Sequence, residues 1–136
     1  MEVEPRVGTV IVGHGSTATE LLAAAQGIVG ADALGDVIAV DAGCGQTPEL
    51  SATLCRVLAE ADRGRGVLLI VDLLGASPCS CGLREGPDEG LALLSGLNLA
   101  MLLKLASLDR YSMNPTELAS ACASSGQRAV TVRPSS

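Results

Sequence analysis

The sequence contains no phenylalanine, no tryptophan and a single tyrosine, Tyr111. Proteins that grip single-stranded nucleic acid stack its bases on aromatic side chains, and this chain has almost nothing to stack on. Cations are also few. Nine Lys and Arg against fifteen Asp and Glu leave a formal charge of −6, which repels a phosphate backbone. Nucleic acid is therefore not an expected partner, and the acidic balance favours encounter with a basic protein surface. The start, MEVEPR, is acidic and has no apolar segment before the first strand candidate, so no secretory signal is read. The longest apolar stretch, Leu91–Leu108, is broken by Ser95, Gly96, Asn98 and Lys104 and does not read as a membrane span. The resulting expectation is a cytoplasmic protein with no direct membrane insertion. Five cysteines, odd in number and scattered, do not form the pattern of a secreted disulfide framework. Cys55 and Cys122 fall in helical patterns and read as small buried hydrophobes.

What the chain does contain is aliphatic. Apolar residues make up 48% of it, enough for one sizeable core in a single domain spanning residues 1–136. Val7–Val12 is a short β-rich run. Thr17-Ala-Thr-Glu20 has capping-box spacing, and Leu21, Leu22, Ala25, Ile28 and Val29 follow at helical intervals up to Gly30. Asp36–Ala42 is a second strand candidate. Thr47-Pro48 reads as an N-cap with proline at the first helical position, opening a helix that Arg63-Gly-Arg-Gly66 ends. Val67–Val71 is apolar at every position, as suits a central parallel strand covered on both faces. Leu91–Leu94 is a fourth strand candidate. Helices are predicted over Leu99–Leu108, capped by Asn98, and over Pro115–Ser125, capped by Asn114 and stopped by Gly126; Ala129–Val132 reads as an edge strand. This alternation defines an α/β domain with a mainly parallel sheet and helices on both faces, a three-layer sandwich.

In open parallel sheets ligands and chemistry collect beyond the carboxyl ends of the strands. Here those ends deliver Gly13-His14-Gly15, then Asp41 with Gly43-Cys44-Gly45, then Asp72 with Leu73-Leu74-Gly75-Ala76-Ser77-Pro78, then Ser95-Gly96-Leu97-Asn98. His14 is the sole histidine. If the strand order begins 2-1-3, strands one and three are neighbours roughly 4.8 Å apart, and Asp72 comes within hydrogen-bond reach of His14. A carboxylate on one imidazole nitrogen fixes the tautomer and sharpens the other as a nucleophile. Ser77-Pro78 reads as a helix start, whose free N–H groups favour an anion. Together these suit a phosphoryl group carried on histidine, and flanking glycines would let a bulky partner approach the ring.

The segments VIVGHG…ELLAAAQGIVG, VLLIVDLLGASP and LLSGLNLAMLLKL resemble the IIA component of the mannose/fructose/sorbose class of the bacterial sugar phosphotransferase system (PTS). The first two are similar also to the phosphotransfer subunit of dihydroxyacetone kinase. The likeness runs from about Val7 to Val132. It implies a sheet of order 2-1-3-4 plus a C-terminal antiparallel edge strand, exchanged between the subunits of a homodimer. It further implies a protein-histidine phosphotransferase without a cofactor, taking a phosphoryl group from HPr on His14 and passing it to a IIB component. Asp72 is then the catalytic partner of His14. Ser77 and the backbone N–H groups of Gly15, Gly75 and Ala76 would hold the phosphoryl oxygens. Ala76 stands where the family's motif has a second glycine, Cys79 and Ser80 replace an aromatic and an asparagine, and Ala100 replaces a proline.

Blander readings stand beside these. Asp72 also suits a loop cap, Ser77 an N-cap, and Asn98 a cap alone. A regulatory module reporting phosphorylation state would use the same His14 chemistry. A metal or redox site of Cys79, Cys81, His14 and a carboxylate is chemically allowed, but Cys-x-Cys is not a usual zinc spacing, so no metal site is expected. Gly13-His14-Gly15 lacks the third glycine of a dinucleotide fingerprint.

Overall fold

The structure, a computed structural model, describes residues 5–44, 47–73 and 90–134. Its elements run β1 (Gly8–Gly13), α1 (Thr17–Val29), β2 (Ile38–Asp41), α2 (Pro48–Ala61), β3 (Val67–Val71), β4 (Leu91–Ser95), α3 (Leu99–Ala106) and α4 (Pro115–Arg128). The four strands form one sheet of order β2-β1-β3-β4, parallel at every pairing. This is the order that the family resemblance implies.

Side-chain alternation divides the core in two. Val7, Ile11, Leu68 and Ile70 face a cluster shared with Ala18 and Ala25 of α1, Met101, Leu102 and Leu105 of α3, and Leu118 and Cys122 of α4. Val10, Val12, Val67, Leu69 and Val71 face Leu54, Val57, Leu58 and Ala61 of α2. Every residue of β3 is buried, because helices cover both of its faces. Each such aliphatic side chain contributes about 1.5–3 kcal/mol by leaving water, so β3 is the axis of the fold. Gly8 is required where α2 ends against β1: a Cβ there would stand 2.1 Å from the Ala61 carbonyl oxygen.

Three helices cap themselves as the sequence indicates. Thr47, Asn98 and Asn114 each accept the N–H three residues on, from Leu50, Met101 and Glu117, and Glu117 completes a capping box. At α1 the expected box is absent. Ser16 is the N-cap and makes no side-chain cap, while Thr17 turns back to the His14 carbonyl. Gly126 does not stop α4, which continues to Arg128. Its missing side chain instead lets α3 close in, since a Cβ would lie 2.7 Å from Met101 Cε. At the opposite end of the sheet from His14, the Arg110 guanidinium, only 5% exposed, makes a two-bonded pair with Asp36 at 2.6 and 2.8 Å.

The fifth, antiparallel strand expected over Ala129–Val132 is not formed. Residues 130–134 join no strand, and Val130 and Val132 are 77% and 91% exposed. A strand needs a neighbour for its N–H and C=O groups, and within the described residues β4 pairs only with β3. Cys122 is buried as expected, and burial pushes its thiol up to about 11. Cys55, in contrast, is half-buried and disulfide-bonded.

Candidate functional site

His14 follows β1 directly, and its backbone is fixed on every side. Beyond the last registered pair, Gly13 with Asp41, the β1–β2 ladder is prolonged by Ala42 N–H donating to Gly13 O at 2.8 Å and Gly15 N–H donating to Gly43 O at 2.7 Å. The His14 carbonyl accepts both the N–H and the hydroxyl of Thr17. The His14 N–H donates to Asp72 Oδ2 at 2.8 Å.

The two glycines around the histidine therefore serve the backbone. A Cβ on Gly13 would meet Ala18 N and Thr17 Cβ at 3.0 Å, so this residue lets α1 start close against β1. Gly15 and Gly43, which face each other in the bridge, both have φ of +58°, a conformation that a side chain disfavours. Nothing lies within 4 Å of where a Gly15 Cβ would point, so its glycine is a conformational requirement and not a steric one.

Asp72 is equally well held. It follows β3, donates its N–H to Val12 O at 3.1 Å and accepts the Gly96 N–H at 3.2 Å, so the sheet's hydrogen bonding carries through it to both neighbours. Its carboxylate meets the His14 ring at Nδ1, 3.0 Å from Oδ2 and 3.2 Å from Oδ1, and accepts the Leu73 N–H at 2.8 Å. Burial pushes the Asp72 carboxyl upward, but the His14 N–H, the His14 ring, the Leu73 N–H and the imidazole charge outweigh it. The net effect is a carboxyl held below its ordinary value of 3.8. An ionised carboxylate only accepts, so Nδ1 carries a proton, and in the neutral ring Nε2 presents a free lone pair. The His14 side chain is 52% exposed and Asp72 only 21%, so the ring is open to solvent while the carboxylate behind it is sheltered.

The sequence-predicted pair is thus brought together, with Gly15 beside it. Gly75, Ala76 and Ser77 lie outside the described residues, as do Cys79 and Cys81. Among the described residues no cluster of His, Cys, Asp and Glu is arranged to hold a metal ion. No helix among them is long and apolar enough to cross a membrane. Asp41 was legible only as a strand-end residue. In the structure its carboxylate accepts the N–H and hydroxyl of Thr19, at 3.1 and 2.5 Å. Leu73, 67% exposed, adds an apolar side chain to the rim beside Asp72.

A parallel sheet of this order, with a histidine–aspartate pair at the ends of its two central strands, defines a doubly wound α/β protein with its site at the strand ends. The family of the PTS system fructose IIA component (EIIA-man) matches residues 8–122, and the chain belongs to that family. It is a component of the sugar phosphotransferase type. Among solved structures, the mannose/sorbose-specific IIA subunit of the phosphotransferase system from Enterococcus faecalis is 30% identical, with a TM-score of 0.74 over 97% of this chain and 98% of that one. The PTS IIA protein associated with the fucose utilization operon from Streptococcus pneumoniae shares the fold at 20% identity and a TM-score of 0.73, over 96% of each chain. The component EIIA from Streptococcus agalactiae does so at 23% identity and 0.71, over 93% of this chain and 96% of that one. No curated protein matches the chain.

Proposed function

We propose that this chain is a protein-histidine phosphoryl carrier in which His14 Nε2 takes a phosphoryl group from phospho-HPr and passes it to a IIB component. The observation that carries the reading is the Asp72 carboxylate on His14 Nδ1, 3.0 Å away, which leaves Nε2 as the open nucleophile. In the first step the Nε2 lone pair attacks phosphorus. The N–P bond to the donor imidazole breaks, and its electron pair returns to that ring. The proton on His14 Nδ1 stays in place throughout, and Asp72 balances the positive charge that the ring gains as the N–P bond forms. The second step is the same displacement in reverse, toward a nucleophile of the acceptor. This exchange requires positioning and charge stabilisation rather than a resident cofactor.

By family resemblance, Ser77 and the backbone N–H groups of Gly75 and Ala76 hold the phosphoryl oxygens; the Gly15 N–H, expected to join them, is already committed to Gly43 O at 2.7 Å. Leu73 on the rim suits contact with the partner protein. Dimerisation is part of the proposal: Val130 and Val132, exposed after α4, supply a strand for the edge of β4 that has no partner among the described residues, in a second copy. The setting for such exchange among PTS proteins is the cytoplasm. Incubation with phosphoenolpyruvate, enzyme I and HPr tests the reading. The wild-type protein takes up one phosphoryl group and His14→Ala none; label retained by His14→Ala overturns it.

A further inference from the structure

In each of the four helices among the described residues the third N–H is satisfied by a side chain, but in α1 that side chain comes from β2. Thr47, Asn98 and Asn114 lie in extended conformations and cap their own helices. Ser16 sits at φ −107°, ψ 24° and caps nothing, and the carboxylate of Asp41 takes the Thr19 N–H in its place. The cause is the three-residue passage from β1 to α1, His14-Gly15-Ser16. Gly15 must hold φ +58° to bridge Gly43, and Ser16 immediately after it does not reach the extended geometry of a local cap.

We infer that Asp41 is a positioning residue for phosphoryl transfer at His14. This rests on the carrier function proposed above. Asp41 touches neither the imidazole nor the reacting atoms. It holds Thr19, in the first turn of α1, and the first residue of that turn, Thr17, holds the His14 carbonyl with both its N–H and its hydroxyl. Asp41 also ends β2 at the register position opposite Gly13. The carboxylate thus ties the β2 end to the helix start, and the His14 loop is clamped between them. Without it the first turn of α1 frays, the grip on the His14 carbonyl loosens, and the ring no longer keeps one orientation on Asp72. Displacements of about 1 Å in a reacting group slow transfer steeply.

The test compares Asp41→Ala, Asp41→Asn and Thr19→Val with Asn114→Ala, which removes a cap of the same kind from α4. For each full-length variant, kcat and KM are measured for phosphoryl transfer from phospho-HPr. The nitrogen shifts of the His14 ring are recorded by NMR without any donor. Asp41→Ala is expected to lower kcat about tenfold with KM within twofold, and to broaden the His14 ring signals. Asp41→Asn keeps an acceptor for the Thr19 N–H and recovers most of the rate. Thr19→Val loses only the hydroxyl bond and falls between. Asn114→Ala lowers the melting temperature but leaves kcat and the ring signals unchanged. An unchanged kcat in Asp41→Ala, or an equal fall in Asn114→Ala, overturns the assignment. Wild-type protein that takes no phosphoryl group overturns the carrier function itself, a result separable from either.

Discussion

Asp72 Oδ2 accepts two hydrogen bonds from one residue: the His14 backbone N–H at 2.8 Å and the His14 Nδ1–H at 3.0 Å. The carboxylate therefore sets both the position of the loop and the tautomer of the ring. An amide at position 72 keeps the shape but presents an NH2 group that can turn toward Nδ1 and favour the wrong tautomer. Asp72→Asn is expected to slow phosphoryl acceptance about 100-fold while the fold is retained, the scale of a lost acid–base or orienting partner. Stopped-flow transfer from phospho-HPr, with circular dichroism as the fold control, checks this.

The depressed carboxyl of Asp72 gives a pH signature. A group whose pKa is lower in the folded protein stabilises it above the unfolded value, 3.8 here, and that contribution fades as pH falls through the folded value. In thermal unfolding, the difference between wild type and Asp72→Asn should be present above the unfolded value of 3.8 and shrink as pH falls below it through the lower folded value.

Asp36 is the anion for a buried cation. Arg110 is 5% exposed and doubly bonded to Asp36, and Arg6 Nε approaches the same carboxylate at 3.2 Å. Asp36→Ala leaves the Arg110 charge buried without this partner and is expected to cost about 3–5 kcal/mol in urea unfolding. Since the pair lies at the far end of the sheet, the transfer rate of folded protein should not change.

Gly15→Ala places a side chain at φ +58° with open space around it. Its cost is conformational alone, about 1–2 kcal/mol. Gly8→Ala is expected to cost more, because its Cβ would stand 2.1 Å from the Ala61 carbonyl and α2 would have to move. The order of the two in denaturant midpoint is the measurement.

If residues 130–134 complete the sheet of a second copy, deletion after Ala129 converts a dimer to a monomer in sedimentation. Unchanged sedimentation contradicts the exchange.

Val67–Val71 is apolar at every position, and that made a central β3 covered on both faces legible from composition. The order 2-1-3-4 was legible only through the family resemblance, and the His14–Asp72 pairing followed from the order. The features that were not legible depend on tertiary competition. Thr17-Ala-Thr-Glu20 has the letters of a capping box, yet Thr17 is already helical, the Glu20 N–H donates to Ser16 O at 3.0 Å, and Asp41 from β2 takes the Thr19 N–H. Gly126 looks like a helix stop but is a contact with Met101. Ala129–Val132 has strand composition and no strand partner within the described residues. The glycines around His14 suggested room for a partner; the structure gives Gly13 a packing reason and Gly15 a conformational one.

The most direct test of the central claim is the intact mass of the protein after incubation with phosphoenolpyruvate, enzyme I and HPr, measured at neutral and at acid pH. The account predicts a gain of one phosphoryl group that is lost in acid and absent in His14→Ala. No gain in the wild-type protein, or an acid-stable gain that survives His14→Ala, would contradict it.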